Sequence, residues 1–129
     1  MKNLFIIFTF GLSLVTSYQV FAVRDHPEKW YQTQWCQENN GNMEVIFPNR
    51  TRCDCLTTDY AVEVEFADKW AEAVGQSLNY ALESQRQSGI VLILENLKDR
   101  KYLEHLNAVI AHFDLPIRVW TVGAGNTNE

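Results

Sequence analysis

Positive charge is scarce in this chain. Eleven lysines and arginines stand against sixteen aspartates and glutamates among 129 residues, a formal net charge of −5. That balance excludes the broad basic surface on which tight, sequence-independent nucleic-acid binding rests. Glycine is sparse as well, with six residues and no glycine-rich phosphate loop. The three cysteines form no Cys-x-x-Cys pair and share no spacing with histidine that would hold zinc. A Ser-His-Asp spacing, an internal repeat and a low-complexity linker are all missing. The length suffices for one domain with a real core and leaves no room for two.

Long apolar runs are nearly absent, and the one present is N-terminal. Lys2, the run from Leu4 to Val15 and the small-residue ending Val20-Phe21-Ala22 together form a secretory signal peptide over 1–22, cleaved after Ala22. Apolar character extends weakly to Val23, so an uncleaved anchor is the alternative, although Thr16, Ser17, Tyr18 and Gln19 interrupt it. Cleavage implies an exported protein, periplasmic or secreted, with no membrane association afterwards. It removes Lys2 and no acid, leaving ten basic and sixteen acidic residues and a charge of −6. In such a compartment three cysteines leave one unpaired if a disulfide forms. Cys53 and Cys55 point the same way from one strand and are poorly placed to join each other; Cys36 pairs with either, or all three are small buried hydrophobes.

What the chain does have is concentrated in residues 52–80. Cys53 and Cys55, then Val62, Val64 and Phe66, fall at alternate positions, with Arg52, Asp54, Glu63 and Glu65 between them. This is the period of two half-buried strands, joined by the turn residues Thr57, Thr58 and Asp59. Paired as a hairpin, the strands put Asp54, Glu63 and Glu65 on one face. Three close carboxylates repel one another unless a proton or a cation sits among them, and Mg²⁺ or Mn²⁺ takes oxygen ligands of this kind. The plain alternative is the solvated outer face of a hairpin. From Ala67 to about Ser84 the pattern becomes helical, with Trp70, Ala71, Val74, Leu78, Ala81 and Leu82 as a core stripe. At about 100° per residue, Lys69, Gln76 and Tyr80 fall on a separate stripe, and Lys69 stands close enough to the strand end to swing back toward the carboxylates.

The remaining elements follow from period and punctuation. Pro27 opens a helix running to about Glu38, with Trp30 and Trp35 as packing residues, and Asn39-Asn40-Gly41-Asn42 ends it. Met43–Phe47 is a short strand, and Ile90–Leu94 is apolar throughout, as a strand covered on both faces must be. A helix from about Asp99, its N-cap, to Phe113 carries Tyr102, Leu103, Leu106, Val109, Ile110 and Phe113 toward the core, while His105 and His112 face solvent. Ile117–Val122 is a final strand parallel to the previous one, and 123–129 is a flexible polar tail. The domain thus covers 23–122 and belongs to the α/β class.

An aspartate on one strand, an acidic step on the next and a helix bearing Gln-x-x-x-Tyr resemble the PD-(D/E)XK nuclease superfamily, restriction-endonuclease-like, and most closely its RecB-like branch. The resemblance spans about residues 27–122 in element order, with its specific residues within 52–80. It implies an αβββαβ core with an added αβ unit, a mixed sheet flanked by helices. It implies that Asp54 and Glu63 hold Mg²⁺ or Mn²⁺, with Glu65 a further ligand or a base. Lys69 would stabilise charge on a phosphate, Gln76 would orient the water or the lysine, and Tyr80 would support the helix stripe. Glu38 or Glu44 would be the acidic contribution associated with the first helix. Glu65 departs from the pattern, standing where lysine belongs, and Lys69 fits as the displaced lysine. The implied activity is metal-dependent hydrolysis of phosphodiester bonds in nucleic acid, weakened as a partner by the net negative charge. The alternative is an inactive nuclease fold that binds a protein or small ligand outside the cytoplasm.

Overall fold

The computed structural model describes residues 23–126. The leader expected over 1–22 and the end of the tail lie outside the described residues. Helix α1 (Glu28–Glu38) begins after Pro27, whose fixed φ suits a helix entry, and stops at Asn39 and Asn40, the latter in the left-handed region at φ 52°. Strands β1 (Asn42–Ile46), β2 (Arg52–Leu56) and β3 (Tyr60–Phe66) form an antiparallel meander. A short 3₁₀ turn then leads into α2 (Trp70–Ser84), followed by β4 (Gln87–Ile93), α3 (Arg100–Phe113) and β5 (Ile117–Val122). Strand β4 runs parallel to β3, and β5 parallel to β4. The molecule is therefore α/β, with a mixed open sheet in the order β1-β2-β3-β4-β5 and three helices.

Two apolar layers hold the sheet. On one face Tyr31 and Trp35 of α1 cover Val62, Val64, Phe66, Val91 and Ile93. On the other, Ala73 of α2 and Leu106 of α3 cover Ile90, Leu92 and Leu94. The continuous apolar run of β4 is explained by this double cover, each large side chain contributing roughly 1.5–3 kcal/mol by burial. A Cys36–Cys55 disulfide ties α1 to β2, and Gly41 lies against it so closely that a Cβ there would stand 2.3 Å from the Cys55 sulfur. Among the described residues no helix is long and apolar enough to cross a membrane.

Several expectations are corrected here. Ala71 and Leu82 are exposed rather than in the core stripe of α2, because the buried side is Ala73, Ser77 and Tyr80, and Leu82 lies about 180° round the helix from Ala73. Tyr80 leaves the solvent stripe for the core, packing with Phe47, Cys53 and Ala61 where the hairpin β1–β2 covers that side of the helix. Phe113 is exposed at the last position of α3, edge-on to His112. Cys53 and Cys55 do not share a face: Cys55 joins the α1 layer and Cys53 the Tyr80 cluster. The Asp99 carboxylate caps no α3 amide. It accepts from Glu95 N (2.9 Å) and Asn96 N (3.2 Å), closing a reciprocal box on the turn before α3. Part of the expected tail is folded, since Gly123–Asn126 turn back and Gly125 N donates to Leu94 O at 2.8 Å.

Candidate functional site

The β2–β3 ladder begins at the turn with Leu56↔Ala61 and Cys55↔Val62, and then it ends. Where the next rung would lie, the Asp54 carboxylate accepts the Val64 amide at 2.8 Å, so a side chain replaces a strand carbonyl and the two strands part. Gln32 of α1, itself buried, holds the Asp54 carbonyl at 2.8 Å. The opening exposes the middle of β3 to a polar cavity of about 540 Å³ lined by Asp54, Glu63, Glu65, Lys69, Gln76 and Tyr80. All six residues singled out in the sequence therefore meet in one place. Four contributors were not foreseen: Glu28, Ile46, Arg50 and Arg52 line the same cavity.

Glu63 and Glu65 are 4% and 6% exposed, unusual for carboxyl groups. Asp54 and the Tyr80 hydroxyl lie within hydrogen-bonding reach of Glu63, yet Glu63 Oε2 is buried with no partner. Burial first, and the neighbouring Asp54 charge second, push the Glu63 carboxyl up to about 9. Burial also raises Asp54, against the lowering effect of the Val64 amide. Glu65 Oε1 accepts the amide of Phe66 at 2.9 Å. Its carboxyl is pushed up to about 7 by burial and then by the charge of Glu28, which hydrogen-bonds to it; Lys69 acts in the opposite sense. Glu28 is raised by its own burial, and burial together with Glu63 raises the Tyr80 phenol.

The carboxyls thus stand as two pairs, Asp54 with Glu63 and Glu28 with Glu65, each stable when it shares a proton. Among the described residues no group of three or more acidic, histidine or cysteine side chains forms a ready ion cage. The pairing accounts for this, because each carboxyl is engaged by its neighbour rather than turned to a common point. The donor set nevertheless fits a hard divalent cation: hard oxygen ligands, and a buried oxygen that nothing satisfies. A cation there would displace the shared protons and supply the missing partner.

Glu38 and Glu44 do not take the role given to the first helix. Glu44 is occupied by Lys29, by Arg52 at 2.6 Å and by Gln32 at 3.1 Å, and Glu38 lies in a different cleft, beside Trp30 and Trp35. Glu28 enters the cavity because the start of α1 is tied down from the far end of the sheet. Glu95, 8% exposed just beyond β4, accepts the amides of Asp25 (2.9 Å) and His26 (3.4 Å) and the Tyr31 hydroxyl (3.1 Å). Arg24 completes the tether, pairing with Asp68 at 2.7 Å and lying 3.9 Å over the Phe66 ring. The signal for Glu28 was an acid directly after the helix-opening proline; for Glu95, 64 to 70 residues from its partners, the sequence holds none. Comparison with protein-family models, curated proteins and solved structures finds no match to this chain.

Proposed function

We propose that the chain is an exported, metal-dependent nuclease of the PD-(D/E)XK type that hydrolyses phosphodiester bonds of nucleic acid. The observation that carries this reading is the convergence of Asp54, Glu63, Glu65, Lys69, Gln76 and Tyr80 on one cavity around an unpartnered buried carboxylate oxygen. The helix, three-stranded meander, helix and parallel strand also follow the element order that the resemblance implies.

Asp54 and Glu63 hold Mg²⁺ or Mn²⁺. Such a cation, when bound, supplies Lewis-acid chemistry to a phosphoryl oxygen and acidifies water beside it. Asp54 is fixed for this work by the Val64 amide, which leaves its carboxylate no freedom to turn away. Glu65, with a proton affinity near neutrality, takes the proton of the attacking water. The Lys69 ammonium, on the exposed first turn at the cavity wall, stabilises the charge that develops on the phosphate. Gln76 orients the water or the lysine, and Tyr80 keeps Glu63 in place from below. Arg50, lining the cavity, gives a negatively charged chain a local point of attraction for a phosphate backbone.

Nicking of supercoiled plasmid by the mature protein with Mg²⁺ or Mn²⁺ is the assay. Activity that disappears in Asp54→Ala supports the reading, and no cleavage of DNA or RNA with any divalent metal rejects it. A second reading has its own observation. The four carboxyls already stand as pairs in which each raises or holds a proton for its neighbour, and glutamate replaces the expected lysine. A retained fold without catalysis, serving as an extracytoplasmic binding protein, is consistent with both. Unchanged thermal stability in millimolar Mg²⁺ and Mn²⁺, together with no cleavage, would favour it.

A further inference from the structure

A second cleft, of about 560 Å³, lies at the opening ends of the parallel strands, below the last turns of α2. Its walls are apolar: Leu78 and Ala81 from α2, and Leu115, Pro116 and Ile117 from the turn into β5. Its polar lining has one sign. Arg86 and Arg118 stand at it and no aspartate or glutamate does, although acids outnumber bases in the chain. Neither arginine forms an ion pair among the described residues. Arg86 donates to the Thr57 carbonyl. Arg118 rests on the rings of Tyr60 and Trp120, 5.8 Å and 5.2 Å from their centres, and donates to the Tyr60 hydroxyl at 3.4 Å.

The floor adds an independent mark. Ser88, 2% exposed, lines the cleft, and its hydroxyl is one of two buried polar side-chain atoms without a partner among the described residues. The other is Glu63 Oε2, in the carboxyl cavity. A buried hydroxyl without a partner carries a desolvation penalty that alanine would avoid, so the position is explained when a ligand supplies the missing bond. Arginine held by aromatic faces and free of carboxylates keeps its donor fork available for an oxyanion.

We infer that this cleft binds a small amphipathic organic anion, a carboxylate with an alkyl or aryl body. The body lies against Leu78, Leu115 and Ile117, the carboxylate meets Arg118 and Arg86, and the Ser88 hydroxyl donates to it. The volume suits a small ligand rather than a polymer. Because it uses none of the residues of the carboxyl cavity, this site stands or falls apart from the nuclease reading.

The test is titration of the mature protein with sodium octanoate, followed by amide chemical shifts, with octanol and octylammonium as matched neutral and cationic probes. Octanoate should bind about tenfold or more tightly than either, in line with a charge-assisted bond, and should shift the amides of Ser88, Ile117 and Arg118. Arg118→Glu should weaken octanoate by about tenfold or more while leaving the melting temperature near that of the parent, as for an exposed side chain. Arg118→Gln serves if the charge reversal disturbs the fold. Ser88→Ala should keep or raise the melting temperature and weaken octanoate several-fold. Equal binding of octanol and octanoate, shifts confined to other regions, or unchanged affinity in both Arg118 variants would overturn the proposal.

Discussion

Glu63 combines deep burial, an unpartnered oxygen and a carboxylate neighbour, and these set how it responds to replacement. Held protonated at neutral pH, it is well imitated by an amide. Glu63→Gln should therefore change metal-free stability by no more than about 0.5 kcal/mol near pH 4, below the unfolded glutamate value, stabilise the protein near pH 9, where the unfolded chain has given up this proton, and abolish divalent-dependent nicking. Thermal melts at the two pH values check the first part; a loss as large as a core truncation, about 2–5 kcal/mol, would mean that the folded protein relies on the charged form. Lys69 poses the opposite case, exposed on the cavity wall. Lys69→Met should leave stability within about 0.5 kcal/mol and lower the nicking rate by about 10²-fold or more, as loss of a group facing developing charge does. Full activity in that variant would remove Lys69 from the chemistry. These residues were legible in the sequence because alternation fixes which strand positions share a face. Glu28 and Glu95 were not, since the contacts that bring them in join segments far apart in the chain.

At the scale of elements, the eight helices and strands were legible from period and punctuation, and their faces less so. Leu82 and Tyr80 exchanged roles because a helix with one apolar neighbour has one buried stripe, whereas α2 has two: the sheet below and the β1–β2 hairpin at its side. The parting of β2 from β3 at Asp54 was likewise hidden, because a carboxylate that substitutes for a ladder carbonyl leaves no mark in the alternation. The disulfide matters here by fastening α1, and with it Glu28, to the hairpin that carries Asp54. Its two cysteines are 19 residues apart in sequence, and closing a loop of that order contributes about 2–4 kcal/mol. Cys36→Ala/Cys55→Ala should lose that amount in urea denaturation. Treatment of the parent with reductant should reproduce the loss, whereas insensitivity to reductant would deny the bond its role.

For the whole molecule the carboxyl cavity links stability to pH and to metal. Glu63 and Glu65 are raised in the folded protein, to about 9 and about 7, above the ordinary glutamate value. The folded state thus binds more protons than the unfolded one. Their contribution is fully present below the unfolded value and is lost as pH rises through the folded values. Metal-free protein should melt progressively lower between about pH 5 and pH 9, a loss of 1 kcal/mol lowering the midpoint by roughly 4–8 °C in a domain of this size. Millimolar Mn²⁺ should restore it at the alkaline end. A melting temperature that rises over this range without metal would contradict the protonated pairs.

The most direct test of the carboxyl cavity as a cation site is calorimetric titration of Mn²⁺ into the mature protein at pH 7.5, repeated in buffers of different ionisation enthalpy. Binding through Asp54 and Glu63 must expel the proton they share, so the heats should differ between buffers by the equivalent of about one proton released per ion bound. Glu63→Gln should lose both the binding and the release. Saturable Mn²⁺ binding without proton release, or binding unchanged in Glu63→Gln, would place the ion elsewhere, and no binding at millimolar Mn²⁺ would contradict the site itself.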